Sequence, residues 1–483
     1  MKMKKVSSII LTAAILLTTA CSDNNTSSVN SQNSTVGNSS GGVTDNSTNS
    51  TVVENTPNKV DDKFPQCEPA NQPDADKYDA HIMKGTDGYY YTKYKSVGDN
   101  KATMAVYYYD KASGQSIPLC SKPQCMHDGN DFCTATGGGI YRIYESLVTM
   151  YNGYIYRLGN NAAETENWSL SLLKMDLQGN ELSEVADVFS VPMTDEIQIT
   201  PQIRSAVFHY GKLFVSVSIL RETWENALYI VDLASGEVKE INIAPAENGT
   251  KKWGESVCSY ITADGDYLYY TIRCCRFDNT TIQSENHMTY NRTVMHRYNI
   301  KTGATEVISA LPDVYSSFTV ADGIIYYTVA DRSDNTISLY SYDIANDKTT
   351  TLADKLQQNY VDGKYVEQNQ KATVVTDKKY LYVCTRGLTG HYAESNADKY
   401  KQDDIDFYIY SLDGKELLHG LPGIDMTMDS YAYSLSAVDG ELYLNFSDEV
   451  YGDEEDLSGM YTIKTEDLIN GGTEWTKLYK AIN

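Results

Sequence analysis

The stretch "ADGIIYYTV" (Ala321–Val329) decides the fold. An Asp-Gly pair followed by branched and aromatic residues suits a tight two-residue turn that needs positive φ, so the segment reads as the turn and second strand of a β-hairpin. The same token recurs as "TDGYYYTKY" from Thr86, "YNGYIYRL" from Tyr151, "YGKLFVSVS" from Tyr210, "ADGDYLYYTI" from Ala263, "TDKKYLYVC" from Thr376 and "VDGELYLNF" from Val438. Its turn residues, Asp87, Asn152, Tyr210, Asp264, Asp322, Asp377 and Asp439, are separated by 65, 58, 54, 58, 55 and 62 positions. A near-constant period of this size marks a repeat architecture, and the count is seven.

Each token is preceded by an apolar strand, such as "SLVTM" (Ser146–Met150) or "SSFTV" (Ser316–Val320). It is followed by a second hairpin with Asp or Asn four places before Gly, as in "YYYDKASG" ending at Gly114, "YIVDLASG" at Gly236 and "RYNIKTG" at Gly303. Degenerate copies run from Asp176 to Gly179 and from Asp343 to Asp347. Two hairpins make four antiparallel strands, and seven such sheets set radially make an all-β β-propeller over residues 66–483. A pair of β-sandwiches would not need one motif seven times. An eighth token, "YVDGKYVEQ" near Gly363, falls off the period and reads as an outer-strand turn. "YDAHIMKG" (Tyr78–Gly85) supplies the first inner strand, with a swap involving the C-terminal "WTKLYKAIN" as the alternative.

The chain has 40 tyrosines. Most sit in the strand tokens, where aromatic rings fit a pleated, half-buried surface and pack between blades. Runs such as Tyr89, Tyr90 and Tyr91, or Tyr107, Tyr108 and Tyr109, place alternate rings on opposite faces of a sheet, so some are expected at a blade surface or rim.

The "LYYT" and "IYYT" strands after "ADG" (Leu268–Thr271 and Ile325–Thr328) resemble the YWTD-type propellers of low-density-lipoprotein receptors, although Trp and Asp of that motif are absent. The mature chain as a whole resembles tyrosine-rich β-propeller lipoproteins of Gram-positive bacteria. That resemblance implies a propeller and a binding role, and it carries over no ligand residues.

Residues 1–20 read as a signal segment: basic "MKMKK", then an apolar run from Val6 to Ala20 too short to span a membrane. "LLTTAC" resembles the lipobox of bacterial lipoproteins, which makes Cys21 the lipidated residue; ordinary signal cleavage is the alternative. Residues 21–65 are rich in Ser, Asn and Thr, have little to bury, and read as a solvated tether. Localisation is therefore extracytoplasmic, with the lipid as the contact with the membrane. The formal net charge is -25, and losing Lys2, Lys4 and Lys5 with the signal gives -25 - 3 = -28. Such a polyanion repels phosphate backbones, which argues against a nucleic-acid partner.

"PLCSKPQCMHDGNDFC" (Pro118–Cys133) gathers Cys120, Cys125, His127 and Cys133 in the spacing C-x4-C-x-H-x5-C. Three thiolates and an imidazole are ligands that zinc prefers in closed structural sites, and Pro123 and "DGND" supply turns that wrap a loop around an ion. The alternative is a pair of disulfides with Cys67 as fourth partner, because extracytoplasmic cysteines are commonly oxidised. Either arrangement would pin the connection from the first blade's outer strand into the second. Nucleophilic catalysis lacks a base with its own orienting group. Cys274 and Cys275 are adjacent on a strand and face opposite sides, and a turn at Asp264-Gly265 sets Cys258 opposite Thr271, too far from Cys275 for a bridge. These and Cys384 read as small hydrophobes, and His81, His209 and His296 as core or rim packing.

No metalloprotease helix, nucleophile elbow, P-loop or dinucleotide fingerprint is present. The acidic run "SDEVYGDEED" (Ser447–Asp456) lacks the order of a known calcium loop and reads as solvated. The expected function is therefore a monomeric, non-enzymatic binding or scaffold propeller for a protein, peptide or glycan. The alternative is an extracytoplasmic polysaccharide lyase or hydrolase with its site in the propeller channel. Polar groups converging from several inner strands would favour the enzyme.

Overall fold

The computed structural model describes residues 82–98, 101–127, 133–137, 141–151, 153–161, 167–193, 199–220, 224–241, 255–277, 288–308, 311–312, 317–331, 336–356, 373–384, 407–423, 430–438, 440–448 and 459–478. All belong to the second of two compact units, Thr56–Asn483. The signal segment, the tether, Cys21, Cys67, His81, the token at Gly363 and residues 449–456 of the acidic run lie outside the described residues. No described helix is long and apolar enough to cross a membrane.

The described strands form seven four-stranded sheets, each made of four strands consecutive in the chain and paired antiparallel. Blade 1 comprises Ile82–Lys84, Gly88–Gly98, Lys101–Asp110 and Gln115–Pro118. Blades 2 to 7 span residues 141–192, 199–241, 255–308, 317–356, 373–419 and 430–477. First strands of consecutive blades touch, from blade 1 through to blade 7, which places them around the propeller axis.

All seven tokens fall on the turn between a blade's first and second strands. Tyr210 and Gly211 have φ of +49° and +68°, and Asp322 and Gly323 have +51° and +75°, the paired left-handed geometry that a two-residue hairpin requires. The outer hairpins are set by the Asp or Asn four places before Gly. Asp110 accepts from the Ala112 and Ser113 amides, Asp232 from Ala234 and Ser235, Asn299 from Lys301 and Thr302, and Asp343 from Ala345 and Asn346. A short side-chain acceptor thus closes each turn from within.

The core is divided among the blade interfaces. Seven clusters of buried residues each join one pair of neighbours, from blades 1 and 2 (Met83, Tyr90, Val106, Ile155) round to blades 7 and 1 (Ile82, Tyr89, Tyr91, Tyr443, Leu478). Strand alternation explains this division: Tyr89 and Tyr91 face blade 7 while Tyr90 faces blade 2. All three are buried, so the second face of the run fills another interface core and does not reach the rim. Trp168, only 1% exposed, fills the interface of blades 2 and 3 beside Phe189. Trp168→Ala is expected to destabilise the chain by about 3–5 kcal/mol, read as a lower denaturation midpoint, because the void spans two sheets and cannot collapse within one.

Ring closure needs no strand swap. Ile82–Lys84 is the inner strand of blade 1, and Thr476–Lys477 is the outermost strand of blade 7, so the alternative closure does not occur. Side chains make the seam: Glu441 of blade 7 accepts from the Tyr89 and Tyr443 hydroxyls and pairs with Lys84 at 3.0 Å. Ser116 Oγ donates to the Leu478 carbonyl at 2.9 Å. One register expectation is corrected: Cys258 lies opposite Ile272, not Thr271, because the two-residue turn is Gly265-Asp266, which moves the register by two, and a bulge between Cys258 and Tyr260 takes one residue back.

Candidate functional site

The cysteine segment leaves blade 1 after Pro118 and folds back on it. Val106 N–H donates to the Ala135 carbonyl at 3.0 Å, and Leu119 N–H donates to the Val106 carbonyl at 2.8 Å. Thr134 Oγ1 donates to the Gly179 carbonyl in the outer turn of blade 2 at 2.7 Å. Gln124 and His127 adopt left-handed conformations, φ +64° and +53°, unusual for residues with a Cβ. Those reversals turn the chain so that all four predicted residues meet.

The ligand atoms of Cys120, Cys125, His127 and Cys133 lie within 4.8 Å of one another, and His127 Nδ1 is 3.4 Å from Cys133 Sγ. A tetrahedral zinc with bonds of about 2.3 Å to sulfur and 2.0 Å to nitrogen has ligand–ligand edges of roughly 3.5–3.8 Å. The four atoms therefore bracket one ion. Cys133 is fully buried among Tyr107, Ala135 and Leu478 in the interface of blades 7 and 1, while the other three are half-buried. The thiols differ. Burial acts against Cys120 ionising, but hydrogen bonds from Thr134 and from the Lys122 amide outweigh it and bring its pKa down to about 7. Burial together with the neighbouring Cys133 and Cys120 pushes Cys125 up to about 11. Cys120, Cys125 and Cys133 carry free thiols, and Cys67 lies outside the described residues.

A second place of interest is a cavity of about 900 Å³ on the face where the inner turns converge. Blades 3 to 6 all contribute to it, through His209, Asp264, Tyr267, Asp322 and Lys378 among others. Polar groups do converge here, and two of them, Asp264 and His209, are engaged by neighbouring blades. Asp264 accepts from the Gly323 amide of blade 5 at 2.8 Å and from Lys378 Nζ of blade 6 at 2.8 Å, joining three blades through one carboxylate. His209 Nε2 donates to the Gly265 carbonyl at 2.7 Å. Burial, joined by nearby Lys378, outweighs that contact and lowers its pKa, so His209 is neutral at pH 7. His209 Nδ1 is buried without a partner among the described residues. Tyr267 and Arg297, both half-buried, line the cavity as well, with the Arg297 guanidinium 4.6 Å from the centre of the Tyr267 ring and paired with Glu306. Among the described residues the cavity presents no nucleophile hydrogen-bonded to a base.

Sequence reading located the cysteine cluster but missed this clamp. Asp264 and Lys378 lie in turn tokens whose evident role is local, and only the radial fold brings residues 114 positions apart together. His296, read as packing, is buried and stacked on Tyr270.

The fold and site define a seven-bladed β-propeller with a Cys3His cluster on its first blade. In fold, the chain is similar to the β-propeller domain of the Trilobed protease from Pyrococcus furiosus, at 12% identity and a TM-score of 0.46, over 87% of this chain and 100% of that one. It is also similar to the Pyrococcus horikoshii acylaminoacyl peptidase, at 11% identity and a TM-score of 0.45, over 87% of this chain and 53% of that one. This chain therefore spans about half the length of that peptidase. A GH93 alpha-L-arabinofuranosidase of Fusarium graminearum gives 10% identity and a TM-score of 0.35, over 73% of this chain and 98% of that one. No protein-family model and no curated protein matches the chain. The likeness to solved structures extends to the fold alone, and the lipoprotein and YWTD resemblances rest on the sequence tokens.

Proposed function

We propose that this chain is a non-enzymatic binding propeller, held at a membrane surface by a lipid on Cys21 and a tether over residues 21–65, with its ligand in the turn-face cavity. The observation that carries the binding role is that Asp264 and the Nε2 donor of His209, the convergent acid and imidazole, are tied up in holding the blades together. Asp264 has both oxygens occupied, and His209 is neutral with its donor committed. What remains is a recess lined by Tyr210, Tyr267, Arg297 and the carboxylates of Asp266, Asp322 and Asp343, suited to the face of a sugar ring or a peptide side chain. The lipid anchor is supported by "LLTTAC" and the polar segment after it. Equilibrium binding of glycan and peptide panels to residues 60–483 tests the reading. A hit weakened at least tenfold by Tyr267→Ala supports it, and cleavage of any panel member overturns the non-enzymatic assignment.

The second part of the proposal is that Cys120, Cys125, His127 and Cys133 hold a structural zinc. Four protein ligands close a tetrahedral site, leaving no position for substrate, so the ion would clip the loop onto blades 1 and 2. Native mass spectrometry of the same fragment, purified without reductant, is expected to show one zinc, lost in Cys125→Ser. A mass deficit of disulfides with no metal would overturn it.

A further inference from the structure

Arg157 is the one described cation buried completely, with 0% exposure. It stands on the second strand of blade 2, Tyr154–Asn161, two residues after Ile155 and hence on the face toward blade 1. Its guanidinium reaches the cysteine loop. Nη1 donates to the Ala135 carbonyl at 3.1 Å, Nη2 donates to the Thr134 carbonyl at 2.5 Å, and Nε has no partner among the described residues. The Ala135 carbonyl also takes the Val106 amide, so a single oxygen joins loop, blade 1 and blade 2.

Two neutral carbonyls do not offset a cation taken wholly out of water, and a buried charge persists where an opposite charge faces it. Among the described residues no carboxylate does so. The group that favours the charged form is Cys133, immediately before the two carbonyls in the chain. A charge count then separates the possible states of the loop. Three thiolates, a neutral imidazole and a divalent ion sum to -3 + 0 + 2 = -1, which one guanidinium cancels. Joining two of the cysteines and protonating the third gives zero, as does a trivalent ion on three thiolates, and either leaves Arg157 uncompensated. A monovalent ion leaves an excess of negative charge.

We propose that Arg157 is the counter-charge of a divalent metal–thiolate site, so that zinc, its four ligands and the guanidinium form an electrically neutral unit that links the cysteine loop of blade 1 to blade 2. Arg157 is a positioning residue here: it touches the loop backbone, not the ion. The inference rests on the metal reading of the loop and adds to it the charge of the ion and the residue that retains it.

The test compares wild type, Arg157→Met and Arg157→Lys in the full chain, following zinc content by native mass spectrometry, zinc transfer to a colorimetric chelator, and melting with and without zinc. Wild type and Arg157→Met are each expected to bind one zinc, with transfer about tenfold faster or more from Arg157→Met, the usual effect of removing a group that supports metal ligands. Arg157→Lys keeps the charge but not the planar fork, and should transfer within a few-fold of wild type. Zinc-free Arg157→Met should melt no lower than zinc-free wild type, because it has lost an unbalanced buried cation. Equal transfer rates in wild type and Arg157→Met, equal melting losses with and without zinc, or failure of Arg157→Lys to the same degree as Met, would overturn the counter-charge. A wild-type chain that takes up no zinc would instead overturn the metal reading beneath it.

Discussion

Gly179→Ala is expected to destabilise the protein by about 2–5 kcal/mol, combining a left-handed backbone penalty with overpacking against a fixed wall. Gly179 has φ +71°, and a Cβ there would lie 2.5 Å from the Leu119 carbonyl oxygen and 2.7 Å from its carbon. That wall has little freedom to retreat. Leu119 N–H is bonded to Val106, and the Gly179 carbonyl itself accepts from Thr134 Oγ1 and the Ser121 amide. Gly265→Ala is the matched control: its φ is +54° and nothing lies within 4 Å of the added carbon, so it should lose only about 1–2 kcal/mol. Denaturant midpoints of the two variants check this, and equal losses would mean that the close approach of blade 2 to the cysteine segment is absent. Gly179→Ala should also accelerate zinc transfer, because the same turn holds the loop.

Glu441→Leu should open the seam between blades 7 and 1, at a loss of about 2–4 kcal/mol. The carboxylate is buried and takes three donors: Tyr443 Oη at 2.7 Å, Tyr89 Oη at 2.9 Å and Lys84 Nζ at 3.0 Å. Lys84 is partly exposed, so solvent screens its share and most of the loss comes from two buried hydroxyls left without an acceptor. Burial works against ionisation of Glu441, but those three donors outweigh it and hold its pKa below the ordinary 4.5. A carboxylate with a depressed folded pKa contributes stability above its unfolded pKa and loses it as pH falls through the folded one. Wild type should therefore lose stability steeply below about pH 4.5, and Glu441→Gln should show a shallower acid limb. Parallel acid limbs would remove Glu441 from the seam.

The blade count and inner turns were legible because each token combines turn chemistry with strand chemistry in one local window. The cysteine cluster was legible for the same reason: its four residues fall within 14 positions, Cys120 to Cys133. Contacts between distant blades were not. Glu441 reads as the first residue of a strand after "VDG", and Arg157 in "YIYRLGNN" as an ordinary polar position. Nothing local says that one accepts from residue 89 or that the other is fully buried. The Cys258 pairing was missed by one residue because the turn falls on Gly265-Asp266 rather than on Asp264-Gly265, and a bulge, which leaves no trace in alternation, takes back one of the two positions this adds. The tyrosine runs were expected partly at a rim because a single sheet has an inside and an outside, whereas a blade in a ring has two insides.

Closure by side chains alone also bears on how the ring is born. Each sheet draws only on consecutive strands, so blades can form as the chain is delivered N-terminus first, but blade 1 must wait for its partner. Tyr89 and Glu441 are 352 residues apart, which at about 5–20 residues per second is roughly 20–70 s of synthesis. Throughout that interval the face carrying Tyr89, Tyr91, Tyr107 and Tyr109 has no neighbour. With 40 tyrosines against 9 phenylalanines, the chain keeps a hydroxyl on most of its phenyl rings. An unfinished propeller thus presents a wettable edge to its surroundings, one less prone to adhere to other nascent chains than a phenylalanine-built edge of the same shape.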